Sequence, residues 1–153
     1  MTIDILPTLV ELTGGTSPDK EIDGVSILPQ LRGDVAAAPP HKALYFWYHR
    51  GDLEAMRMGQ WKLHFPHNYR SLEGRPPGNN GIPAKYNYKM RTELALYDLE
   101  SDPHETKDLS KTNAGVAVEM MGLAIGIRQK LGDRLGKIEG TDVREPGKLV
   151  SDK

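Results

Sequence analysis

Cysteine is absent from the 153 residues. That excludes disulfides, thiolate zinc sites and a cysteine nucleophile. It leaves the compartment open, since an exported protein needs no disulfide. Apolar content is low as well, at 38% with a mean hydropathy of −0.52, and no apolar run reaches the roughly 18 residues a membrane helix needs. Neither sign of charge dominates: 20 Lys and Arg face 21 Asp and Glu, for a net charge of −1. The basic residues are scattered among acids, so neither a nucleic-acid nor a membrane partner is expected. The N-terminus lacks the basic-then-apolar form of a signal peptide. No Gly-rich phosphate loop, no Ser-His-Asp order and no internal repeat occurs. What the chain does have is 16 Gly and 11 Pro, which indicate long loops around one core of ordinary size.

Periodicity places the elements. TIDILPTLVELTGG predicts a helix with Asp4 as cap, Pro7 in the first turn and Gly14-Gly15 as terminator, with Ile3, Leu6, Leu9, Val10 and Thr13 on one side. Residues 16–42 read as a linker framing the short apolar patch VSILPQL. ALYFWYHRG and EAMRMGQWKLHF read as strands, the second folding back at Gly59-Gln60. Residues 66–92 form a long Gly- and Pro-rich excursion of the kind that is functional or disordered. LALYDL alternates as a strand and runs into Asp102-Pro103, a turn pair. Beyond it Val116, Met120, Leu123, Ile127, Leu131 and Leu135 recur on one helix face. Gly115, Gly122, Gly126 and Gly132 weaken that helix, so it needs a sheet to lie on. The expected fold is α+β: a small antiparallel sheet of three to four strands covered by a C-terminal helix, with an N-terminal helix and long linker ahead of it.

Few residues carry chemistry. His64 and His67 in HFPH suggest a metal only until a third ligand is sought, and none is in register. His67, Asn68, Tyr69 and Arg70 are of more interest, because they open the long excursion directly after a strand. Arg clamps anions bidentately and Tyr stacks on rings. Tyr45, Trp47 and Trp61 fit core or interdomain packing, while Arg57 and Lys62 alternate with apolar neighbours and belong on the outer strand face. Glu105, Thr106 and Asp108 fit organisation of the turn before the helix.

The order of these pieces resembles the C-terminal end of the sulfatase family (alkaline-phosphatase-like superfamily). DILPTLVELTGG, DGVSILPQLRG, MRMGQWKLHF and LYDLESDPHETKDLS stand in the family's order. HNYRSLEGRPPG and the tail resemble the bacterial arylsulfatase branch. The resemblance implies that residues 1–15 form a helix of the large domain, 16–42 a linker, 43–136 the C-terminal subdomain and 137–153 a flexible tail. It also implies a parent that hydrolyses sulfate esters with a formylglycine and calcium, and that bacterial parents are often exported. The C/S-x-P-x-R motif that yields formylglycine is missing here, as is the Asp-Asp pair that opens the metal site. The implied catalytic residues in this chain are therefore none, and the expected partner is an upstream catalytic domain of the same polypeptide. Residues 67–70 are the implied substrate rim, facing a sulfated small molecule or glycan. A chain taken without its upstream domain is also expected to form a homo-oligomer. An autonomous binding or oligomerisation module is the alternative.

Overall fold

The computed structural model describes residues 1–145. It falls into two units, Met1–Lys42 and Ala43–Lys153, which are considered separately; the last residues of the expected tail, 146–153, lie outside the described ones.

In the first unit a 3-10 turn, Thr2–Asp4, leads into helix α1, Ile5–Thr13, and a short helix α2 spans Leu28–Leu31. Gly14 takes the left-handed conformation at φ 66° and closes α1, with its N–H donating back to the last turn. Asp4 was expected as a helix cap, but its side chain makes no cap bond. It is fully buried and acts as a hub instead: Oδ1 accepts from the Val25 N–H at 3.0 Å and meets His41 Nε2 at 2.8 Å. Burial alone would raise its pKa, yet the N-terminal ammonium, the Val25 amide and His41 outweigh burial and hold it at about 2. Thr8 donates to the Asp4 carbonyl and accepts from the Ile27 N–H at 3.0 Å. Gly24 passes so close to the 3-10 turn that a Cβ there would lie 1.9 Å from the Ile3 carbonyl oxygen. The 16–42 segment thus folds back onto α1 through Gly24, Val25 and Ile27. Ile5, Leu6, Leu9 and Leu12 of α1 stay about half exposed.

The second unit is built on a four-stranded antiparallel sheet in the order β1-β2-β3-β6, with β1 Leu44–Tyr48, β2 Asp52–Met58, β3 Trp61–His64 and β6 Ala95–Asp98. Helix α3, Ala114–Leu131, covers it. The register sets Met56 against Leu63 and Leu63 against Leu96, so one apolar row crosses three strands. That row packs with Leu53, Phe65, Ala117, Met120 and Ala124 in the core. Burial of this row is the main stabilising term, since each fully buried large side chain contributes about 1.5–3 kcal/mol. Tyr45, Trp47 and Trp61 lie partly buried against the same cluster.

Two elements differ from the sequence expectation. The 66–92 excursion is not structureless: His67–Ser71 (β4) and Asn87–Thr92 (β5) pair as a separate antiparallel ribbon. Alternation there is obscured because both strands are polar and mostly exposed, so no hydrophobic period marks them. The C-terminal helix stops at Leu131 rather than reaching Leu135. Gly132 has φ 82°, and a Cβ there would lie 3.0 Å from the Ile138 carbonyl oxygen. The chain then turns back, with reciprocal backbone bonds between Asp133 and Ile138.

Candidate functional site

Period-two geometry decides what faces away from α3. Since Met56, Leu63 and Leu96 point to the helix, the alternate row Phe46–Ala55–His64–Ala95 faces the opposite side. The β4–β5 ribbon rises beside that face. Together they enclose an open cavity of about 770 Å³. His67, Asn68, Tyr69 and Arg70 all line it. Sequence reasoning did not join to them Phe46, Tyr48, His49, Glu54, Lys62, His64 and Tyr88, which also contribute to its walls. The signal was present for Lys62 and His64, which flank buried Leu63 at i ± 1 and so share the outer face. Tyr88 carried no such signal, because the β4–β5 pairing that brings it there is long-range.

Each side chain is held by named partners. His67 is buried, and its Nδ1 lies 2.7 Å from the Phe65 carbonyl oxygen, which fixes the proton of the neutral ring on Nδ1. Its ring stacks on His64 at 5.9 Å between centroids, and the Tyr69 ring centroid lies 6.2 Å away. Arg70 places its guanidinium 4.7 Å from the Tyr86 ring centroid, a cation–π contact. Asn68 is exposed on the ribbon, its backbone in register with Arg91.

Glu105 departs from its expected role. Asp102 organises the turn, accepting from the Thr106 N–H at 2.7 Å and the Lys107 N–H at 2.8 Å. Asp108 accepts from the Leu96 N–H at 3.0 Å and ties the connector to β6. Glu105, at φ 55°, instead reaches the sheet. Its two oxygens accept from Lys62 Nζ at 2.6 Å and His64 Nε2 at 2.7 Å. Burial would raise the Glu105 pKa, but these hydrogen bonds win and lower it. Burial lowers the His64 pKa, helped by the charges of Lys62 and His67 and opposed by Glu105.

Those two directions fix a pH dependence. A histidine whose folded pKa lies below its ordinary 6.5 leaves the unfolded chain binding more protons, so stability falls as pH drops below that value. A carboxylate held below 4.5 contributes stability above that pH and loses it as pH falls further. Both act in one direction. Urea midpoints are therefore expected to decline from pH 7 to pH 4, and Glu105→Gln should flatten the lower part of the decline. A midpoint independent of pH over that range contradicts the assignment.

The β1–β2 connection adds a strained rim. His49 and Arg50 have φ 43° and 66°, and the Gly51 N–H donates to the Tyr48 carbonyl at 3.0 Å. Three residues, His49, Arg50 and Gly51, separate the paired Tyr48 and Asp52, and a left-handed residue with a Cβ costs about 1–2 kcal/mol. His49 lines the cavity.

The implied cofactors do not fit these residues. Among the described residues no three His, Asp or Glu side chains converge as metal ligands, and no cysteine exists to become formylglycine.

The second unit thus carries a small antiparallel sheet with one covering helix and a cavity on its free face. Residues 39–131 match the family model of the C-terminal region of aryl-sulfatase, and the chain belongs to that family. Human arylsulfatase A is 29% identical over 124 residues, covering 78% of this chain and 24% of that protein. Human arylsulfatase D is 33% identical over 118 residues, covering 71% and 20%. A sulfatase structure from a glycosaminoglycan-metabolising locus of Bacteroides thetaiotaomicron superposes with a TM-score of 0.58 at 22% identity, covering 83% of this chain and 24% of that one. The chain thus spans about a quarter of the length of the relatives it matches.

Proposed function

We propose that this chain is the non-catalytic C-terminal region of an arylsulfatase-like sulfuric ester hydrolase, supporting an upstream catalytic domain of the same polypeptide and rimming its substrate cleft. The observation that carries this reading is the convergence of His67, Asn68, Tyr69 and Arg70 on one cavity with Lys62 and His64. Cationic and imidazole groups over aromatic walls suit an anionic substrate bearing a ring. Arylsulfatase relatives and the absence of a C/S-x-P-x-R motif support placing the formylglycine and the calcium ligands upstream. The HNYRSLEGRPPG stretch supports a parent of the bacterial branch. The half-exposed Ile5, Leu6, Leu9 and Leu12 support a helix α1 that packs on the large domain.

Arg70 tests the rim. In the intact hydrolase, Arg70→Ala is expected to raise KM for an anionic or glycan-linked sulfate ester by roughly 5- to 150-fold. That corresponds to about 1–3 kcal/mol for a lost charged contact, with stability nearly unchanged. Unaltered kinetics on such a substrate would remove Arg70 from the rim.

A further inference from the structure

The long excursion carries a charge that the chain as a whole conceals. Residues 66–92 hold Arg70, Arg75, Lys85, Lys89 and Arg91 against one acid, Glu73, so five cations meet one anion and the segment is +4. The complete chain is −1, which leaves −5 for everything else. Chain-wide balance argues against a membrane partner; local balance does not. Arg91 is paired with Glu93 at 2.7 Å, but no carboxylate among the described residues pairs with Arg70, Arg75, Lys85 or Lys89.

The tip between β4 and β5 adds apolar groups to those cations. Residues 72–83 are all exposed, yet their backbone is tightly organised. Asn79 and Ile82 exchange N–H···O bonds of 3.0 and 2.9 Å across Asn80 and Gly81, at φ 49° and 77°. This is the two-residue turn that Asn-Gly favours. A Cβ on Gly78 would lie 2.6 Å from the Ile82 carbonyl oxygen, so the two limbs of the loop touch. The turn leaves Ile82 71% exposed, and Leu72 is 45% exposed. Arg75 and Lys85 line a hollow of about 380 Å³ with Pro76, Pro77, Ile82 and Pro83, and no carboxylate faces it. Toward the strands, Arg70 lies over Tyr86, whose ring is 6.1 Å from that of Tyr88. An aliphatic tip gains nothing from a soluble polyanion, whereas the headgroup boundary of a bilayer takes it out of water. Tyrosines and cations around such a tip suit the headgroup level.

We propose that the tip of the β4–β5 ribbon docks on an anionic lipid surface, with Ile82 entering the headgroup boundary and Arg75 and Lys85 meeting lipid phosphates. Docking of this kind lies on the surface and needs no spanning segment; no helix among the described residues is long and apolar enough to cross a membrane. It uses the far end of the ribbon and does not depend on what the cavity binds.

The test is co-sedimentation of the 153-residue chain with vesicles of phosphatidylcholine, alone or with about a third phosphatidylglycerol. Each Lys or Arg near an anionic surface strengthens binding about fivefold. Through Arg75 and Lys85 the mixed vesicles are therefore expected to bind the chain on the order of 25-fold more tightly than the neutral ones, and high salt should remove most of that advantage. Arg75→Glu combined with Lys85→Glu should bring the mixed vesicles down to the neutral level. Ile82→Asp, at an exposed position, should weaken binding to the mixed vesicles about fivefold or more. Amide signal dispersion reports the folding of each variant, and Ile82→Ser replaces Ile82→Asp should dispersion be lost. Equal binding to the two vesicle types, or an Ile82 variant that binds like the unaltered chain, would overturn the proposal. So would an oligonucleotide that binds as tightly as the mixed vesicles and is indifferent to Ile82→Asp, since that result assigns the cations to a soluble polyanion.

Discussion

Leu63→Ala is expected to destabilise the Ala43–Lys153 unit by about 2–5 kcal/mol, the range for emptying a large buried aliphatic site. Leu63 has no exposed surface and sits in register between Met56 and Leu96, both equally buried. The cavity would open under Met120 and Ala124 of α3, in the centre of the core rather than at an edge where neighbours collapse easily. Whole domains are stable by only about 5–15 kcal/mol, so the loss is a large fraction of the total. Urea unfolding followed by far-UV circular dichroism measures it. A loss under about 1 kcal/mol would mean that the sheet and α3 do not share one packed core.

Asp133→Ala is expected to cost a similar amount, about 3–5 kcal/mol, through a different mechanism. Asp133 is buried, and its Oδ1 accepts from the Leu53 N–H at 3.2 Å and the Leu135 N–H at 3.1 Å. Its Oδ2 lies 2.8 Å from Arg128 Nε, an ion pair whose angle falls short of an aligned hydrogen bond. Arg128 in turn lies 4.2 Å over the Phe65 ring. One substitution therefore leaves a buried amide without an acceptor and a half-buried guanidinium without its counter-charge. Beside it, Arg134 grips buried Asp52 with two bonds of 2.7 and 2.6 Å, although Arg134 itself is largely exposed. Asp133→Asn, which keeps an acceptor for the two amides, should recover part of the stability. Equal losses for Ala and Asn would place the whole effect on the ion pair.

What was legible in the sequence is what local periodicity encodes. The Met56–His64 hairpin, the 95–98 strand and the long helix follow from alternation and three- and four-residue steps, because each buries one face. The polar β4–β5 ribbon buries almost nothing and so leaves no period. Asp4 and Glu105 were misjudged for one reason: both sit where local rules call for caps or turns, and both are claimed by distant partners. His41 stands 37 residues from Asp4, and Lys62 stands 43 from Glu105. Residues 67–70 stood out because polar and aromatic groups follow a strand directly, and they line the cavity. Glu54 and His49 did not. A β-bulge between Phe46 and Trp47 shifts the register between β1 and β2, so simple alternation cannot say which face Glu54 takes.

We propose that sulfate-ester hydrolysis in the parent resides in an upstream domain and not in residues 1–153. Sulfate release from 4-nitrophenyl sulfate by the purified, folded 153-residue chain, with and without Ca²⁺, tests it most directly. Release at the rate of buffer alone is expected under both conditions, with dispersed amide signals confirming the fold. Turnover above that background, surviving repurification and saturating with substrate, would contradict it.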